Sequence, residues 1–425
     1  VDKVTQSVVR QKFPNGLVLV AEPMPHARSV AVGIWLRAGS RRETEALNGM
    51  AHFIEHMVFK GTERRTAEQI AREVDSVGGM LDAFTSKEAT CFNSRVLDQH
   101  LPLAFDVLAD MVLRPLFAEE DIAKEKQVIL EEIRMEDDNP ESVAHEVLVQ
   151  NFWNGHPLGW PIIGTRGTVR RFTRGSVMKC FEPWYAPNNL VITAAGKLEP
   201  AKLWELVAKA FGGRPAGSAG KASRPPKAHG KLAVRDKPAL EQAHITIAVP
   251  SYPLAHPRRY AASVLNNILG GGMSSRLFQN IRERQGLAYA VFSDMVPYSD
   301  AGMLSVYAGT GRRTVEKVLR LVAEEFRKMK EEPVSEEELR RAKDHLQGSL
   351  VLSLESSGSR MSSLARQEMY LDRFYTVEEL QAELEKVTRE EVQEIAREFF
   401  RPEKIAVTVV GPMGDFRLRR DLVAC

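Results

Sequence analysis

His52, Glu55 and His56 stand in the order H-x-x-E-H. On a helix, positions 52 and 56 are i and i+4, so both imidazoles leave one face with Cβ atoms about 5–6 Å apart. Two ring nitrogens so placed can converge on one zinc ion, each at about 2.0–2.1 Å. Glu55 lies beside His56 and three residues after His52, so it overhangs the same face. There a carboxylate can take a proton from an attacking water without binding the metal itself.

With 10 His and 56 acidic residues among 425, random order would produce this pattern in roughly 3% of chains, so the context has to decide. Asn48-Gly49 predicts a turn into a helix whose apolar positions are Met50, Ala51, Phe53, Ile54, Met57 and Val58. Gly61 stands where a left-handed C′ glycine would end it. Three ionisable groups on one face of an apolar helix call for something that neutralises them; satisfied core histidines are the competing reading. H-x-x-E-H reverses the commoner H-E-x-x-H helix and is the inverted zinc-peptidase motif.

A catalytic zinc takes three protein ligands and keeps its fourth position for water. The acidic stretch from Glu119 to Glu136 is the source to expect for the third. It sets Glu125, Glu131, Glu132 and Glu136 among Val128, Ile129, Leu130 and Ile133. Spacing does not choose between these carboxylates, and for any one of them a solvated helix face is the alternative.

The elements that must hold such a site belong to a chain of 425 residues, for which two or three domains are the expectation. The 44% hydrophobic and 27% charged fractions are those of a globular protein. A net charge of +2 gives no footprint for nucleic acid or an anionic membrane. No run of about 18 apolar residues is present to span a bilayer. Cys91, Cys180 and Cys425 are odd in number and lack C-x-x-C spacing, which favours a reducing compartment over a disulfide framework. The expected location is cytoplasmic, or periplasmic if a presequence was removed before Val1.

Residues 213–230, rich in Gly, Ser, Pro and Lys, read as a linker. It separates a domain over 1–212 from one over 231–425. The halves match: Pro187 and Pro402, and Gly196 and Gly411, are each 215 positions apart, with Thr173-Arg174 repeated as Thr388-Arg389. Two long repeats imply a tandem duplication, not a solenoid. Val8 to Glu22 predicts a hairpin around Pro14-Asn15-Gly16, and Ser29 to Leu36 a strand. Thr66–Gln69, Ser335–Glu338, Thr376–Glu379 and Thr388–Glu391 are capping-box spacings. Hairpins and grouped helices without regular βαβ alternation predict an α+β fold: two tandem homologous domains, each a mixed, largely antiparallel sheet packed with helices.

Three segments together resemble a known family: His52-Phe-Ile-Glu-His-Met-Val-Phe-Lys-Gly-Thr62, Gly78-Gly-Met-Leu-Asp-Ala-Phe-Thr85, and Glu125-Lys-Gln-Val-Ile-Leu-Glu-Glu132. They are similar to the pitrilysin-type inverted zinc peptidases, nearest the branch of the mitochondrial processing peptidase β subunit and its bacterial relatives. The likeness runs over essentially the whole chain. It implies one Zn2+ per subunit, with a third ligand about 76 residues past the second His, here Glu132. Glu131 is the competing position. Glu125 would then orient the site from behind, and Glu55 would be the general base.

The same resemblance implies that Asp82, Ala83 and Phe84 belong to an exposed edge strand to which a peptide substrate adds; an ordinary internal strand is the alternative. Asp82 stands where such strands commonly carry Asn, and its charge would favour basic residues. Gly270-Gly-Gly-Met-Ser-Ser-Arg276 lacks the Lys-Ser/Thr of a phosphate loop. Arg282 and Tyr289 are similar to the family's Arg/Tyr substrate-binding pair, in which the phenol would stabilise the oxyanion. Without the family they read as a surface charge and a half-buried core residue. The second half has no H-x-x-E-H, and the counterpart of Glu132 is about Ser349. With the two motif sets on separate repeats, the expectation is a homodimer, or a heterodimer with a metal-free sister subunit. The function implied is a zinc endopeptidase that cleaves peptides or unfolded segments inside a closed chamber. The alternative is a non-catalytic structural or peptide-binding subunit like the core proteins of respiratory complexes.

Overall fold

The computed structural model describes residues 8–217, 224–371 and 373–425. The first residues of the chain, residues 218–223 of the expected linker and position 372 lie outside that description. In chain order the strands and helices are β1 (Val9–Lys12), β2 (Val18–Pro23), β3 (Ser29–Leu36), α1 (Met50–Val58), α2 (Ala67–Asp75), β4 (Met80–Thr85), β5 (Thr90–Leu97), α3 (Leu101–Leu113), α4 (Glu119–Asp138) and α5 (Pro140–Phe152). Next come α6 (Arg166–Arg171), α7 (Arg174–Trp184), β6 (Leu190–Gly196), α8 (Pro200–Phe211), β7 (Leu232–Asp236), β8 (Ala243–Ser251) and α9 (Arg259–Gly270). The chain ends with β9 (Ala288–Pro297), β10 (Gly302–Thr310), α10 (Val315–Glu331), α11 (Glu336–Leu354), α12 (Ser357–Tyr370), α13 (Val377–Glu385), α14 (Arg389–Phe399) and β11 (Ala406–Gly411).

Two compact units form. One comprises residues 1–133, 161–224 and 351–376; the other comprises 134–160, 225–350 and 377–425. This division differs from a single cut at 213–230 in two segments. The stretch carrying α5 packs with the second sheet, where Leu148, Val149 and Phe152 cluster with Ala248 and Ala406. The stretch carrying α12 packs with the first, where Met361, Leu364 and Ala365 cluster with Val20, Trp35 and Val191. Each sheet thus has an apolar face that its own half of the sequence does not cover.

The first unit is built on a six-stranded sheet in the order β1-β2-β6-β3-β5-β4. All neighbours are antiparallel except β2 and β6. Strand β4 is an edge, and its residues alternate between exposed and half-buried. Helix α2 opens with the expected capping box, Thr66 with Gln69. The second unit repeats the plan in the order β7-β11-β8-β10-β9, with β11 and β7 parallel. Position for position β7 corresponds to β2, β11 to β6, β8 to β3, β10 to β5 and β9 to β4. Each edge at that end is the second unit's or first unit's copy of one strand.

Helix α1 lies almost wholly inside the first unit. Met50, Ala51, Phe53, Ile54, Glu55, Met57 and Val58 are buried, and Met50, Phe53, Ile54, Met57 and Val58 join the main core with Val32, Phe92 and Phe172. It starts from Gly49, which has φ +94, a left-handed conformation that glycine adopts without a Cβ penalty. Its end differs from the expectation. Phe59 caps α1 in right-handed geometry, and Gly61 (φ +123) instead bridges to Thr66. The chain therefore runs two residues past the helix before it turns.

A Cβ on Gly49 would lie 2.7 Å from Gly164 Cα and 2.8 Å from Ile163 O. Gly49→Ala combines that clash with a left-handed φ, and we expect a loss of roughly 2–4 kcal/mol, read as a fall in the denaturant midpoint at unchanged m. A loss under about 0.5 kcal/mol would mean that the entry to α1 is not held as described.

Candidate metal centre

Helix α1 presents His52, Glu55 and His56, and α4 presents Glu132 and Glu125 across from them. The two imidazole rings are tilted at 55° with centroids 4.5 Å apart. His52 Nε2 lies 4.0 Å from Glu132 Oε2, and His56 Nε2 lies 3.7 Å from Glu132 Oε1. One ligand atom from each of His52, His56 and Glu132 falls within 4.8 Å of the others. Glu131, the competing position, is exposed and does not join this group. Glu132 Oε2 and His52 Nδ1 are buried without a hydrogen-bond partner. An orphaned carboxylate oxygen is costly in a folded protein, and two imidazoles facing one carboxylate is a donor set suited to a catalytic zinc. The residues therefore fit a metal ion.

Glu125 stands behind the cluster, 4% exposed, with Oε1 2.8 Å from His56 Nδ1 and Oε2 2.7 Å from Lys60 Nζ. Burial works to raise its pKa, but the bonds to His56 and Lys60 outweigh that and hold the carboxyl below its usual range. The same pairing acts on His56 in reverse. Burial disfavours the imidazolium, yet the bond to Glu125 and the nearby carboxylates lift its pKa. Because Nδ1 engages Glu125, Nε2 is the nitrogen turned to Glu132. His52 has no such support: burial, then the neighbouring His56, push its pKa down to about 4, which leaves the neutral imidazole that a metal requires. Burial also raises Glu132.

Glu55 is buried, and desolvation raises its pKa above the ordinary carboxylate range. Thr85 Oγ1 donates to Glu55 Oε2 at 2.5 Å and opposes that shift. Strand alternation then places Leu81, Ala83 and Thr85 on the sheet face toward α1, with Met80, Asp82 and Phe84 on the other. Phe84 packs edge-on against Trp35 at 5.6 Å. Asp82 therefore turns from the face that carries Glu55, although its charge is still felt there. In the second unit, Arg282 lies over the rings of Phe278 and Tyr289, 4.7 Å from each centroid. Tyr289 is 79% exposed on the edge strand β9, not half-buried as its sequence context alone suggests.

Lys60, Thr85 and Glu43 were not assigned roles from the sequence. Lys60 is four residues past His56, a spacing that can find it. Thr85 follows from counting alternation out of Gly79. Glu43 reaches α1 through a loop, and no spacing rule points to it.

The family model of insulinase (peptidase family M16) matches residues 18–166, and that of the peptidase M16 inactive domain matches residues 171–346. Among sequence relatives, an uncharacterized zinc protease of Bacillus subtilis, YmxG, is 40% identical over 96% of this chain and 99% of that protein. An uncharacterized zinc protease of Streptomyces coelicolor is 38% identical over 97% and 92%. A solved protease from Helicobacter pylori superposes with a TM-score of 0.88 at 22% identity, covering 95% of this chain and 99% of that one. The peptidase M16 inactive domain from Pseudomonas fluorescens gives 0.87 at 22%, covering 95% and 98%. The chain belongs to peptidase family M16. No helix among the described residues is long and apolar enough to cross a membrane.

Because Glu125 fixes the ring of His56, Glu125→Gln should weaken zinc binding about ten- to hundredfold, measured by competition with a chromophoric chelator. Lys60→Met should weaken it less, since it removes only the charge behind Glu125. Wild-type affinity in Glu125→Gln would remove Glu125 from the site.

Proposed function

We propose that this protein is a zinc-dependent endopeptidase acting on peptides or unfolded segments, with one zinc per chain held by His52, His56 and Glu132. The observation that carries this reading is the facing of two imidazoles and an otherwise unpartnered carboxylate within 4.8 Å, with the buried acid Glu55 beside them. When bound, zinc supplies Lewis-acid polarisation of the scissile carbonyl and lowers the pKa of water. Glu125 holds His56 in one tautomer, and Lys60 keeps Glu125 ionised. Glu55 accepts the proton of the attacking water at Oε1 or Oε2 and delivers it to the leaving amine. Thr85 donates to that carboxylate and opposes the rise in its pKa.

Substrate would bind as an added strand on β4, whose free edge offers unpaired N–H and C=O groups. Side chains are then read at alternate positions, while the main chain is held whatever its sequence. Arg282 and Tyr289 complete the reading as groups for the substrate backbone and the oxyanion, supplied within a homodimer whose subunits enclose the cleavage chamber. The second unit has Ser349 at the counterpart of Glu132. The metal ligands are therefore proposed on the first unit alone, and the family description of residues 171–346 as an inactive domain supports that reading.

Purified protein given a mixed peptide library should cleave it, stop on addition of a chelator, and recover with zinc. Cleavage that ignores the chelator would sink the reading. Glu55→Gln should retain about one zinc per chain while kcat falls 10²–10⁴-fold; near-wild-type turnover would remove Glu55 as the base.

The pH dependence has a definite sign. Glu55 must be ionised to act, and burial raises its pKa, so the acid limb of kcat/KM should lie above the ordinary carboxylate range. Thr85→Val removes the bond that lowers this pKa and should move the limb further up, with the loss of activity growing as pH falls. A limb that stays in place or moves down would contradict the assignment.

A further inference from the structure

The metal ligands differ in how they are held. His56 is oriented directly, through Nδ1 to Glu125 at 2.8 Å. His52 has no equivalent tether, because its Nδ1 is buried without a partner. Its ring position depends on where the backbone of α1 places it. Helix α1 begins after Gly49, which has no side chain to cap the first turn, and the leading amides of a helix lack intrahelical partners.

Those amides are met by Glu43, a residue 4% exposed on the segment before the helix. Its Oε2 accepts from Gly49 N at 2.8 Å and from Asn48 Nδ2 at 3.1 Å, and its Oε1 accepts from Ala51 N at 2.7 Å. We propose that Glu43 is a positioning residue for the metal site, clamping the first turn of α1 and thereby setting His52 against Glu132. This rests on the metal-site reading above.

Geometry favours a positioning role over simple capping. Both carboxylate oxygens are engaged, on amides two residues apart, so α1 cannot rotate about its axis or slide along it without breaking one of them. Ala51 immediately precedes His52, so an error at that amide passes to the imidazole undiminished. Asn48 extends the clamp by donating to Pro161 O at 2.8 Å. A carboxylate at a helix N-terminus also gains from the macrodipole. Burial nonetheless raises the pKa of Glu43 to about 7 against its three donors, a cost that an exposed cap would avoid.

Glu43→Gln tests this. The amide keeps the size but turns an N–H2 toward a backbone N–H, so one of the two clamps is lost. Far-UV circular dichroism should stay unchanged, zinc Kd should rise about tenfold, and the visible d–d bands of the cobalt(II)-loaded protein should shift. Glu22→Gln serves as the comparison: Glu22 is similarly buried at 8% and paired with Arg360 at 2.5 Å, away from α1. It should lower the Tm and leave zinc Kd and the cobalt spectrum as in wild type. If Glu43→Gln does not fold, Glu43→Asp, which keeps the charge but is one methylene short of spanning both amides, should give the same shifts. Wild-type Kd and spectrum in the Glu43 variant overturn the proposal, as does a Kd that merely tracks Tm in both variants. Wild-type protein that takes up no zinc would instead overturn the metal-site reading beneath it.

Discussion

Three ionisable side chains on a helix that is buried along seven of its nine residues form the constraint from which the rest of the first unit follows. A charge left alone in such a place costs several kcal/mol, so each group on α1 must be answered by another element. His56 is answered by Glu125, and Glu125 in turn by Lys60, which makes a chain of alternating charge. Glu55 is answered by a hydroxyl from β4. His52 has no partner at Nδ1, its Nε2 lies 4.0 Å from Glu132 Oε2, and burial favours its neutral form. What remains facing the two Nε2 atoms is the carboxylate of Glu132. The polar groups of α1 thus dictate where α4 and β4 must lie, and the apolar core of the unit is arranged to put them there.

Duplication explains why this arrangement occurs once. Both sheets share one strand order, and β4 and β9 occupy the same edge. The scaffold depends on buried apolar positions, which either sequence satisfies, while the ligand positions tolerate change wherever no ion is held. The expected counterpart of Glu132, about Ser349, lacks a carboxylate, and the helix Glu336–Leu354 that carries it still forms. On β9 two of the exposed positions are aromatic, Tyr289 and Phe292, with Tyr289 beneath Arg282. An edge strand is the one place in each sheet where side chains and unpaired backbone are both open to a ligand, so it is where two copies of one fold can diverge in function at least cost to stability.

Much of this was legible in the sequence, and the reasons are local. H-x-x-E-H encodes its own geometry through the helical repeat, and the 215-residue offset encodes the second sheet. Strand β3 falls on Ser29–Leu36 because alternation and its flanking turns leave little choice. Spacing alone did not distinguish Glu131 from Glu132, which only the family resemblance separated, since adjacent helical positions differ by about 100° and packing decides which turns inward. Nor were the placements of α5 and α12 legible. An amphipathic helix states that it has a face to bury and not which sheet will bury it. Asp82 illustrates the same limit: its charge could be read, but the face of the sheet it occupies follows from Thr85 meeting Glu55, a contact made across 30 positions.

Thr85 joins two roles that are otherwise separate. Its backbone belongs to the edge strand, in register with Thr90, while its side chain donates to the proposed base. On the proposed reading, a strand added to β4 would fix that backbone more tightly, and with it the hydroxyl that opposes the rise in the pKa of Glu55. Burial pushes the pKa of Glu55 up, and the bond from the Thr85 hydroxyl opposes that shift. On the proposed reading, docking of an extended peptide and the placement of the base would meet at this one residue. Such docking would ask for an extended substrate backbone and make no demand on its side chains. That selectivity is consistent with the proposed action on peptides or unfolded segments.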